Sequence, residues 1–290
     1  MTRVLVTGAA SGLGKAMATR FAEAGGHVVL ADIDVTAGRA AAAEIAGAAA
    51  AEEGEPIAAA LGGSVVFLSL DVCKDEAWNG VRDWMVEHWG GIDVLINNAG
   101  VSAAGRIEAV TGEDWEWITE INLLSVVRGC RTFVPLMKQQ RSGHIVNVAS
   151  MAGLLDPPFM SSYNVTKAGV VALSETLRFE LEPWNIGTTA LCPSFVKTNL
   201  ASSFRSPDPV LAEISAKLIN GGKITAAQLA DQVYDAVQRR KFLLITDRPS
   251  KTAWFAKRFL VPIYRRKASE AAHRLRARIE SSQAAAQADR

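Results

Sequence analysis

Short, nearly continuous apolar runs recur along the chain and alternate with segments whose apolar residues have helical spacing. The runs are rich in β-branched residues, which is typical of parallel strands covered on both faces by helices. They predict strands at residues 4–6, 27–32, 65–72, 92–100, 144–150, 188–193 and 242–246. This alternation predicts an α/β domain with a doubly wound parallel sheet of about seven strands, arranged in three layers, α/β/α.

Helix start signals support the alternation. Two pairs resemble capping signals ahead of apolar periodicity, namely Thr225 with Gln228 and Thr111 with Asp114. The alanine-rich stretch 37–63 departs from the pattern and predicts a long helix broken near Gly54 and Pro56, followed by a short helix. We interpret this stretch as a solvent-side elaboration without chemistry.

The composition excludes several classes of protein. The chain has 290 residues, 49% of them hydrophobic and 21% charged, so it can bury a large core and is not intrinsically disordered. A net charge of +1 gives no overall attraction to nucleic acid or to acidic substrates. The four histidines lack ligand spacing and the three cysteines lack CxxC or histidine companions, which predicts neither a metal site nor a disulfide framework.

Two further absences bear on location. The opening MTRVLVTG enters a strand at once, without the charged and apolar segments of a signal peptide. No run of about eighteen uncharged apolar residues is present to span a bilayer. Together with unpaired cysteines, these features predict a cytoplasmic protein.

A glycine-rich turn, TGAASGLG at residues 7–14, directly follows the first predicted strand. Glycines let the backbone approach a pyrophosphate closely, and the N-terminus of the following helix offers free N–H groups and a partial positive charge. Asp32 ends the second strand, 18 residues past Gly14, where a carboxylate can accept hydrogen bonds from both adenosine ribose hydroxyls. The alternatives are a tight turn without a ligand and a solvated helix cap.

Asp32 also discriminates between the two nicotinamide dinucleotides. A 2′-phosphate about 5 Å from this carboxylate would be repelled by on the order of several kcal/mol. The adjacent positions hold no arginine to offset the repulsion, so the sequence predicts NAD rather than NADP. Lys15 and Arg39 are the nearest basic residues in sequence, and either one folded over the ribose would weaken this preference.

Tyr163 and Lys167 lie four residues apart in a stretch of helical apolar period, so both side chains project from one helix face. A tyrosine that exchanges a proton near neutral pH needs its pKa lowered by roughly three units, or about 4 kcal/mol. An ammonium group about 4 Å away supplies an attraction of that size. Ser150 ends the fifth strand at the carboxyl edge of the sheet, where its hydroxyl can hold a substrate oxygen.

Together these motifs resemble the short-chain dehydrogenase/reductase family over about residues 1–246. The matching residues occur in the family's order, as TGAASGLG (7–14), Asp32, Asp71-Val72, NNAG (97–100), Asn122, Ser150, YNVTK (163–167) and PSFVKT (193–198). Each motif is modest singly, whereas their joint order and spacing are not expected by chance. The resemblance implies a Rossmann fold, a nicotinamide dinucleotide cofactor, interconversion of an alcohol and a ketone, and a homodimer or homotetramer.

The resemblance also implies roles for individual residues. Tyr163 would be the general acid/base, Lys167 would lower its pKa and hold the nicotinamide ribose, and Ser150 would polarise the carbonyl. Asn122 would anchor a water through which Lys167 exchanges protons, with an asparagine bonded to backbone as the alternative. The implied cofactor-binding residues are Gly8, Ser11, Gly12, Leu13, Gly14, Asp32, Asp71, Val72, Asn98, Ala99, Gly100, Tyr163, Lys167, Pro193, Val196 and Thr198.

Two features depart from the family's pattern. Pro193-Ser194 stands where the family usually has Pro-Gly, and a different backbone path there would alter the carboxamide contacts of Val196 and Thr198. FLLIT at 242–246 replaces the glycine-rich ending of many members, and about forty residues follow it. That ending calls the family's common tetramer interface into question.

The segments expected over the site are mostly apolar. Residues 151–160 and 195–204, with a helix expected near 209–220, contain no arginine or histidine to clamp a carboxylate or phosphate, and Arg205 is the one exception. This composition favours a lipophilic secondary alcohol or ketone over a sugar phosphate or an acyl carrier substrate. Equally open is the interpretation that these side chains simply close a lid onto the core.

A basic helical extension, residues 248–290, follows the predicted catalytic domain of residues 1–247. Between residues 248 and 278 it has ten basic residues against one acidic residue. The pattern predicts an amphipathic helix interrupted at Pro262 and then a second helix. The interleaved apolar residues are Trp254, Phe255, Phe259, Leu260, Ile263, Tyr264, Leu275 and Ile279. Our preferred interpretation is that they pack on this subunit or a dimer partner, and contact with an anionic membrane surface is the alternative.

Two other functions stay open on the sequence alone. A catalytically silent NAD-binding sensor or scaffold needs the glycine turn but not Ser150, Tyr163 and Lys167, so the complete set argues against it. A methyltransferase on a related nucleotide-binding fold leaves the spacing of Tyr163 and Lys167 unexplained. The leading hypothesis is therefore an NAD-dependent oxidoreductase that acts on a hydrophobic secondary alcohol or ketone.

Overall fold

The computed structural model describes residues 1–196, 203–222 and 224–288. Its strands are β1 (Arg3–Thr7), β2 (His27–Asp32), β3 (Ile57–Ala58), β4 (Ser64–Ser69), β5 (Val94–Asn97), β6 (Gly143–Val148), β7 (Ile186–Cys192) and β8 (Leu243–Ile245). Within the described residues these strands form one sheet in the order β3-β4-β2-β1-β5-β6-β7-β8. Every pairing is parallel except that of β3 with β4.

Helices connect the strands and cover both faces of the sheet. They are α1 (Gly12–Glu23), α2 (Val35–Ala46), α3 (Asp75–Trp89), α4 (Gly112–Thr119), a π-helical turn (Glu120–Leu124), α5 (Ser125–Gln140), α6 (Ala152–Leu155), α7 (Ser161–Leu181), a 3₁₀ turn (Glu182–Trp184), α8 (Pro209–Asn220), α9 (Ala226–Gln238), α10 (Arg248–Phe259) and α11 (Val261–Ala288). Successive side chains of β1 enter opposite cores, because Val4 packs with α1, α2 and α9, whereas Leu5 packs with α3, α5 and α7. The predicted three-layer, doubly wound fold is confirmed.

Two predictions about the alanine-rich stretch are wrong. The long helix does not reach Gly54, because α2 ends at Ala46 and Gly47 closes it in the left-handed conformation with a φ of 69°. The predicted short helix is instead β3, a two-residue strand that pairs antiparallel with β4. This edge strand also raises the count from the predicted seven to eight within the described part of the chain.

The predicted helix starts are confirmed. Thr225 and Gln228 form a reciprocal capping box at α9, and Thr111 accepts a hydrogen bond from the Asp114 amide at α4. The extension forms two helices, as predicted, but the predicted interruption at Pro262 is wrong, because α10 ends at Phe259 and α11 begins at Val261. Pro262 lies in the first turn of α11, where a missing N–H removes no intrahelical hydrogen bond.

Three observations concern the described residues as a set. Their three cysteines are free thiols. No group of three or more histidine, cysteine or acidic side chains among residues 1–196, 203–222 and 224–288 is placed to hold a metal ion. None of the helices formed by those residues is both long enough and apolar enough to cross a membrane.

Candidate active site

In the glycine turn after β1, the backbone conformation at Gly12 and the close packing at Gly14 leave no room for larger residues. Gly12 has a φ of 56°, and a Cβ on Gly14 would lie 2.1 Å from the Gly8 carbonyl oxygen. Ser11 makes no side-chain hydrogen bond to the first turn of α1, unlike the side-chain caps of α2, α4, α9 and α10. The N-terminal N–H groups of α1 therefore have no side-chain cap, and the turn fits a pyrophosphate.

Thr7 and Asn98 hold this turn against the end of β5. The amides of Asn98 and Ala99 donate to the Thr7 hydroxyl over 2.9 and 3.0 Å. The Asn98 side chain donates to the Thr7 carbonyl over 2.8 Å and to the Gly8 carbonyl over 3.2 Å. Asn98 thus shapes the turn, and sequence analysis missed Thr7, whose signal is a hydroxyl residue directly before the first glycine.

The Asp32 carboxylate lies beside the glycine turn, as predicted. It accepts hydrogen bonds from the Ala10 amide over 2.9 Å and from the Asp34 amide over 3.1 Å. The two basic residues nearest in sequence point elsewhere. Lys15 pairs with Glu44 over 2.6 Å, and Arg39 donates to the Ala51 carbonyl and pairs with Glu52.

Asp71 and Val72 lie at the same edge of the sheet, directly after β4, which pairs in parallel with β2. The Asp71 carboxylate accepts from the Cys73 amide over 2.9 Å. The buried Trp78 donates its indole N–H to the Val72 carbonyl over 3.0 Å. These contacts fix the chain just after β4, the strand that lies next to β2 and Asp32 in the sheet.

Tyr163, Lys167 and Ser150 come together, as the sequence predicts. Tyr163 and Lys167 are both buried in α7, and the Tyr163 phenol lies near enough to the Ser150 side chain for Ser150 to lower its pKa. The Lys167 ammonium donates to the Val148 carbonyl over 2.8 Å and lies 5.9 Å from the centre of the Tyr163 ring. A Cβ on Gly100 would lie 3.4 Å from Lys167 Nζ, so this residue lies beside the ammonium.

The electrostatics of this pair differ from the prediction. Burial raises the pKa of Tyr163, and the interaction with Ser150 lowers it by less. Burial likewise lowers the pKa of Lys167 to about 8. The expected lowering of the phenol's pKa by Lys167 is wrong for this structure, because burial favours the neutral phenol and also favours the neutral amine of Lys167.

Asn122 lies in the π-helical turn and is fully buried. Its side-chain amide donates to the Val101 carbonyl over 2.9 Å and accepts from the Val101 amide over 2.8 Å. Sequence analysis gave an asparagine bonded to backbone as the alternative, and the structure shows that arrangement. The backbone that Asn122 binds is in the segment after β5. The water-anchoring role stays a prediction.

A buried polar chain that the sequence analysis missed supports the catalytic helix. Asn97 donates to the Asn147 side chain over 2.9 Å, and Asn147 donates to the Ser174 hydroxyl over 3.0 Å. Ser174 in turn donates to the Val170 carbonyl within α7. These hydrogen bonds join β5, β6 and α7, and so fix the helix that carries Tyr163.

The departure at Pro193-Ser194 has a structural reason. The Ser194 hydroxyl donates to the Asp247 carboxylate over 2.5 Å, a contact that glycine cannot make. Asp247 also caps α10 by accepting from the Ser250 amide over 2.7 Å. Burial pulls the pKa of Asp247 up, but the hydrogen bonds from Ser194, Ser250 and Thr246 hold it below its usual value.

The remaining residues predicted to bind the cofactor are Pro193, Val196 and Thr198, the last two at its carboxamide. The Pro193 carbonyl accepts from the Met151 amide over 2.9 Å. Val196 is buried and forms a β-bridge with Ile224. Thr198 lies outside the described residues.

Several apolar side chains of the described residues pack on the Tyr163 ring, and the Lys167 ammonium lies 5.9 Å from the ring centre. The apolar side chains are Val101, Ala103, Trp117, Ile118, Ala152 and Met160. Arg205, the one predicted exception, stacks its guanidinium 3.8 Å from the centre of the Trp117 ring and pairs with Asp114 over 3.3 Å. The next layer includes Ile279 of α11, buried with Leu211 of α8, so the extension reaches the substrate side.

Comparison with known proteins agrees with this geometry. The short chain dehydrogenase family model matches residues 2–209, so the chain belongs to the short-chain dehydrogenase/reductase family. It is 32% identical over 262 residues to a "CLA biosynthesis dehydrogenase/reductase" of Lactiplantibacillus plantarum, covering 84% of this chain and 87% of the relative. It is 33% identical over 195 residues to a cyclopentanol dehydrogenase of Comamonas testosteroni, covering 67% and 73% respectively.

A solved structure extends the likeness to the backbone. A short-chain dehydrogenase/reductase from Burkholderia phymatum in complex with NAD superposes with a TM-score of 0.81 at 29% identity, covering 90% of this chain and 94% of that one. The family resemblance and the Rossmann fold predicted from the sequence are confirmed. The chain is therefore an oxidoreductase of this family, and its Burkholderia phymatum neighbour binds NAD.

Proposed function

We propose that the protein uses NAD(H) to interconvert an uncharged, lipophilic secondary alcohol and its ketone. The observation that carries this proposal is the buried Tyr163 phenol, which interacts with Ser150, lies beside Lys167 and is packed against apolar side chains. The expectations of a cytoplasmic location and of a homodimer or homotetramer stay predictions.

The roles of the chain's residues follow from their chemistry. NAD, when bound, supplies the hydride acceptor. Tyr163 gives its phenol proton to the carbonyl oxygen during reduction; during oxidation its phenol proton would first pass to the neutral amine of Lys167, and the phenolate would then take the hydroxyl proton. Ser150 holds the substrate oxygen by a hydrogen bond. Lys167, with a pKa of about 8, gains and loses its proton near neutral pH and so can relay protons to the buried phenol.

The preference for NAD is supported by charge. The Asp32 carboxylate lies beside the glycine turn, where a ribose 2′-phosphate would be repelled. Lys15 and Arg39 are engaged by Glu44 and by the Ala51–Glu52 segment, so neither offsets that repulsion. The residues that would hold NAD are the glycine turn, Asp32, the ends of β4 and β5, and Lys167.

The substrate class is supported by the walls of the site. The side chains that pack on the Tyr163 ring are mainly apolar, and Arg205 is paired with Asp114 and Trp117. The similarity to a cyclopentanol dehydrogenase points the same way, since cyclopentanol is an uncharged secondary alcohol.

The proposal is tested with a panel of secondary alcohols and ketones, each compared with a carboxylated analogue of the same shape, by absorbance of the reduced nicotinamide. We expect turnover of uncharged, apolar members and a preference for NAD of on the order of a hundredfold over NADP. Asp32→Ser should abolish most of that preference. Binding of NADH without turnover of any member would contradict the enzymatic proposal and favour a silent scaffold.

A further inference from the structure

The C-terminal extension has two faces, and only one packs on the rest of the chain. Trp254 packs on the buried core beneath α10. Lys257 donates to the Leu154 carbonyl over 2.8 Å, and Tyr264 donates to the Leu155 carbonyl. Together with Leu275 and Ile279, these contacts hold the extension on the domain and confirm part of the preferred packing interpretation.

The other face exposes large apolar side chains, which we call the aromatic–basic face. Phe255 and Phe259 are 51% and 60% exposed, and their ring centres lie 4.7 Å apart. Three aliphatic residues at the junction with α11 continue the apolar surface, namely Leu260, Val261 and Ile263. Phe255 also borders a groove of about 490 Å³ between β8 and α10.

Basic side chains share this face. At about 100° of rotation per residue, Arg248, Lys251 and Arg258 project from α10 within the same sector as the two phenylalanines. Three more exposed basic residues follow directly in α11, namely Arg265, Arg266 and Lys267. Residues 248–278 hold ten of the chain's 31 basic and one of its 30 acidic residues, so the segment carries +9 and the remainder −8.

We propose that the aromatic–basic face docks on an anionic lipid bilayer, with the phenyl rings at the boundary of headgroups and acyl chains and the basic side chains on the headgroups. The aromatic and aliphatic side chains suit the acyl-chain region of such a bilayer, and the interleaved lysine and arginine side chains suit its anionic headgroups. A second copy apposed about a twofold axis would bring two +9 segments together, which like-charge repulsion disfavours. Nucleic acid would satisfy the charges but leave Leu260, Val261 and Ile263 without apolar partners.

Docking in this way would place the substrate side of the molecule near the bilayer. The same two helices that carry the face contact Leu154 and Leu155 of α6, which begins two residues after Ser150. A lipophilic compound dissolved in the bilayer would then be close to the site. Vesicle binding itself does not depend on turnover, so it can be tested whichever substrate the enzyme uses.

The test is co-sedimentation of the full-length protein with phosphatidylcholine vesicles and with vesicles that also contain phosphatidylglycerol. We expect binding to the anionic vesicles, weakened by salt, and little binding to the neutral ones. Phe255→Ser combined with Phe259→Ser should lower the partition coefficient about tenfold or more. Lys251→Gln and Arg258→Gln should each lower it about fivefold.

Matched controls are Leu61→Ser, which replaces a side chain that is 70% exposed far from the extension, and Arg131→Gln on α5; neither should change vesicle binding. NADH binding and thermal unfolding are measured on each variant to check that it is folded. If the double phenylalanine variant unfolds, the Lys251 and Arg258 variants decide the test. The proposal is overturned if the wild type binds neither vesicle or if the double variant binds as well as the wild type. Dissociation of a larger assembly by the double variant, or DNA binding in place of vesicle binding, would also overturn it.

Discussion

Among the described residues, polar groups at the amino edge of the sheet are paired with one another, whereas several at the carboxyl edge are not. At the amino edge, Arg3 forms a two-pronged pair with Asp93, with distances of 2.7 and 3.0 Å, and the Gln140 side chain bridges both backbone groups of Ile92. At the carboxyl edge, the first turn of α1 has no side-chain cap, and two ionisable side chains are buried beside each other. One edge is closed by the chain's own side chains, and the other is arranged for a ligand.

This difference separates stability from function. Contacts at the amino edge pair charges and satisfy backbone groups, so their loss should weaken folding and leave chemistry intact. Groups at the carboxyl edge have pKa values displaced by burial, an arrangement typical of sites that move protons. Substitutions at the amino edge should therefore lower stability more than activity, and substitutions at the carboxyl edge should lower activity more than stability.

The largest expected effect is at the carboxyl edge. Tyr163→Phe removes the hydroxyl that exchanges the substrate proton but keeps the ring that packs on Ile118. We expect turnover to fall by about a thousandfold, or about 4 kcal/mol, with NADH affinity and thermal stability nearly unchanged. Steady-state kinetics and NADH fluorescence titration measure the two quantities. Comparable loss of NADH binding would mean that the phenol mainly shapes the cofactor site.

A smaller effect is expected at the amino edge, from His144. Thr189 donates its hydroxyl proton to the Lys241 carbonyl over 2.7 Å, so it accepts from His144 Nε2 over 2.8 Å. Burial and the charge of Arg240 lower the pKa of His144 to about 4. Its usual pKa of 6.5 applies in the unfolded chain, so the unfolded state binds the extra proton as the pH falls from 6.5 to 4.

We therefore expect the free energy of unfolding to fall by about 2 kcal/mol more in the wild type than in His144→Gln between pH 7 and pH 4.5. Glutamine keeps a donor for Thr189, and carboxylates that titrate in this range are common to both proteins. Urea unfolding at the two pH values measures the difference. Parallel losses in the two proteins would show that the buried ring does not set acid stability.

The smallest effect is expected where the carboxyl edge meets the extension. Ser194→Ala removes the hydrogen bond to Asp247, which also caps α10. We expect a loss of about 1–2 kcal/mol in unfolding free energy and faster amide exchange in α10, without a change in NADH affinity. Ser142→Ala, which removes a long, exposed hydrogen bond, is the matched control. Unchanged exchange in α10 would show that Ser250 and Thr246 hold Asp247 without Ser194.

The carboxyl edge was easier to predict than the amino edge because short local sequence patterns determine its main features. A glycine turn after a strand, a carboxylate at the end of the next strand and a Tyr-Lys pair on one helix face are local patterns in the sequence. The doubly wound arrangement followed from the same alternation of apolar runs and helical segments. The short β3 was not predictable, since its two residues are recruited by the edge of β4 rather than by their own pattern.

Contacts between distant segments could not be predicted. Thr7 bonds to residues 91 and 92 positions away, and Asn122 bonds to Val101 rather than to its own helix. The direction of the Tyr163 pKa shift also depends on burial by side chains from several elements. Each of these outcomes is decided by tertiary packing, which periodicity and spacing do not record.

The π-helical turn at Glu120–Leu124 makes chain length critical at one point of the molecule. It joins α4 to α5 without a loop and holds one residue more than an α-helical turn. Deleting a single residue there would restore the regular ladder and leave Trp117 and Ile118 of α4 facing the phenol. The deletion would instead displace Asn122, which lies in the turn, from its two hydrogen bonds with Val101.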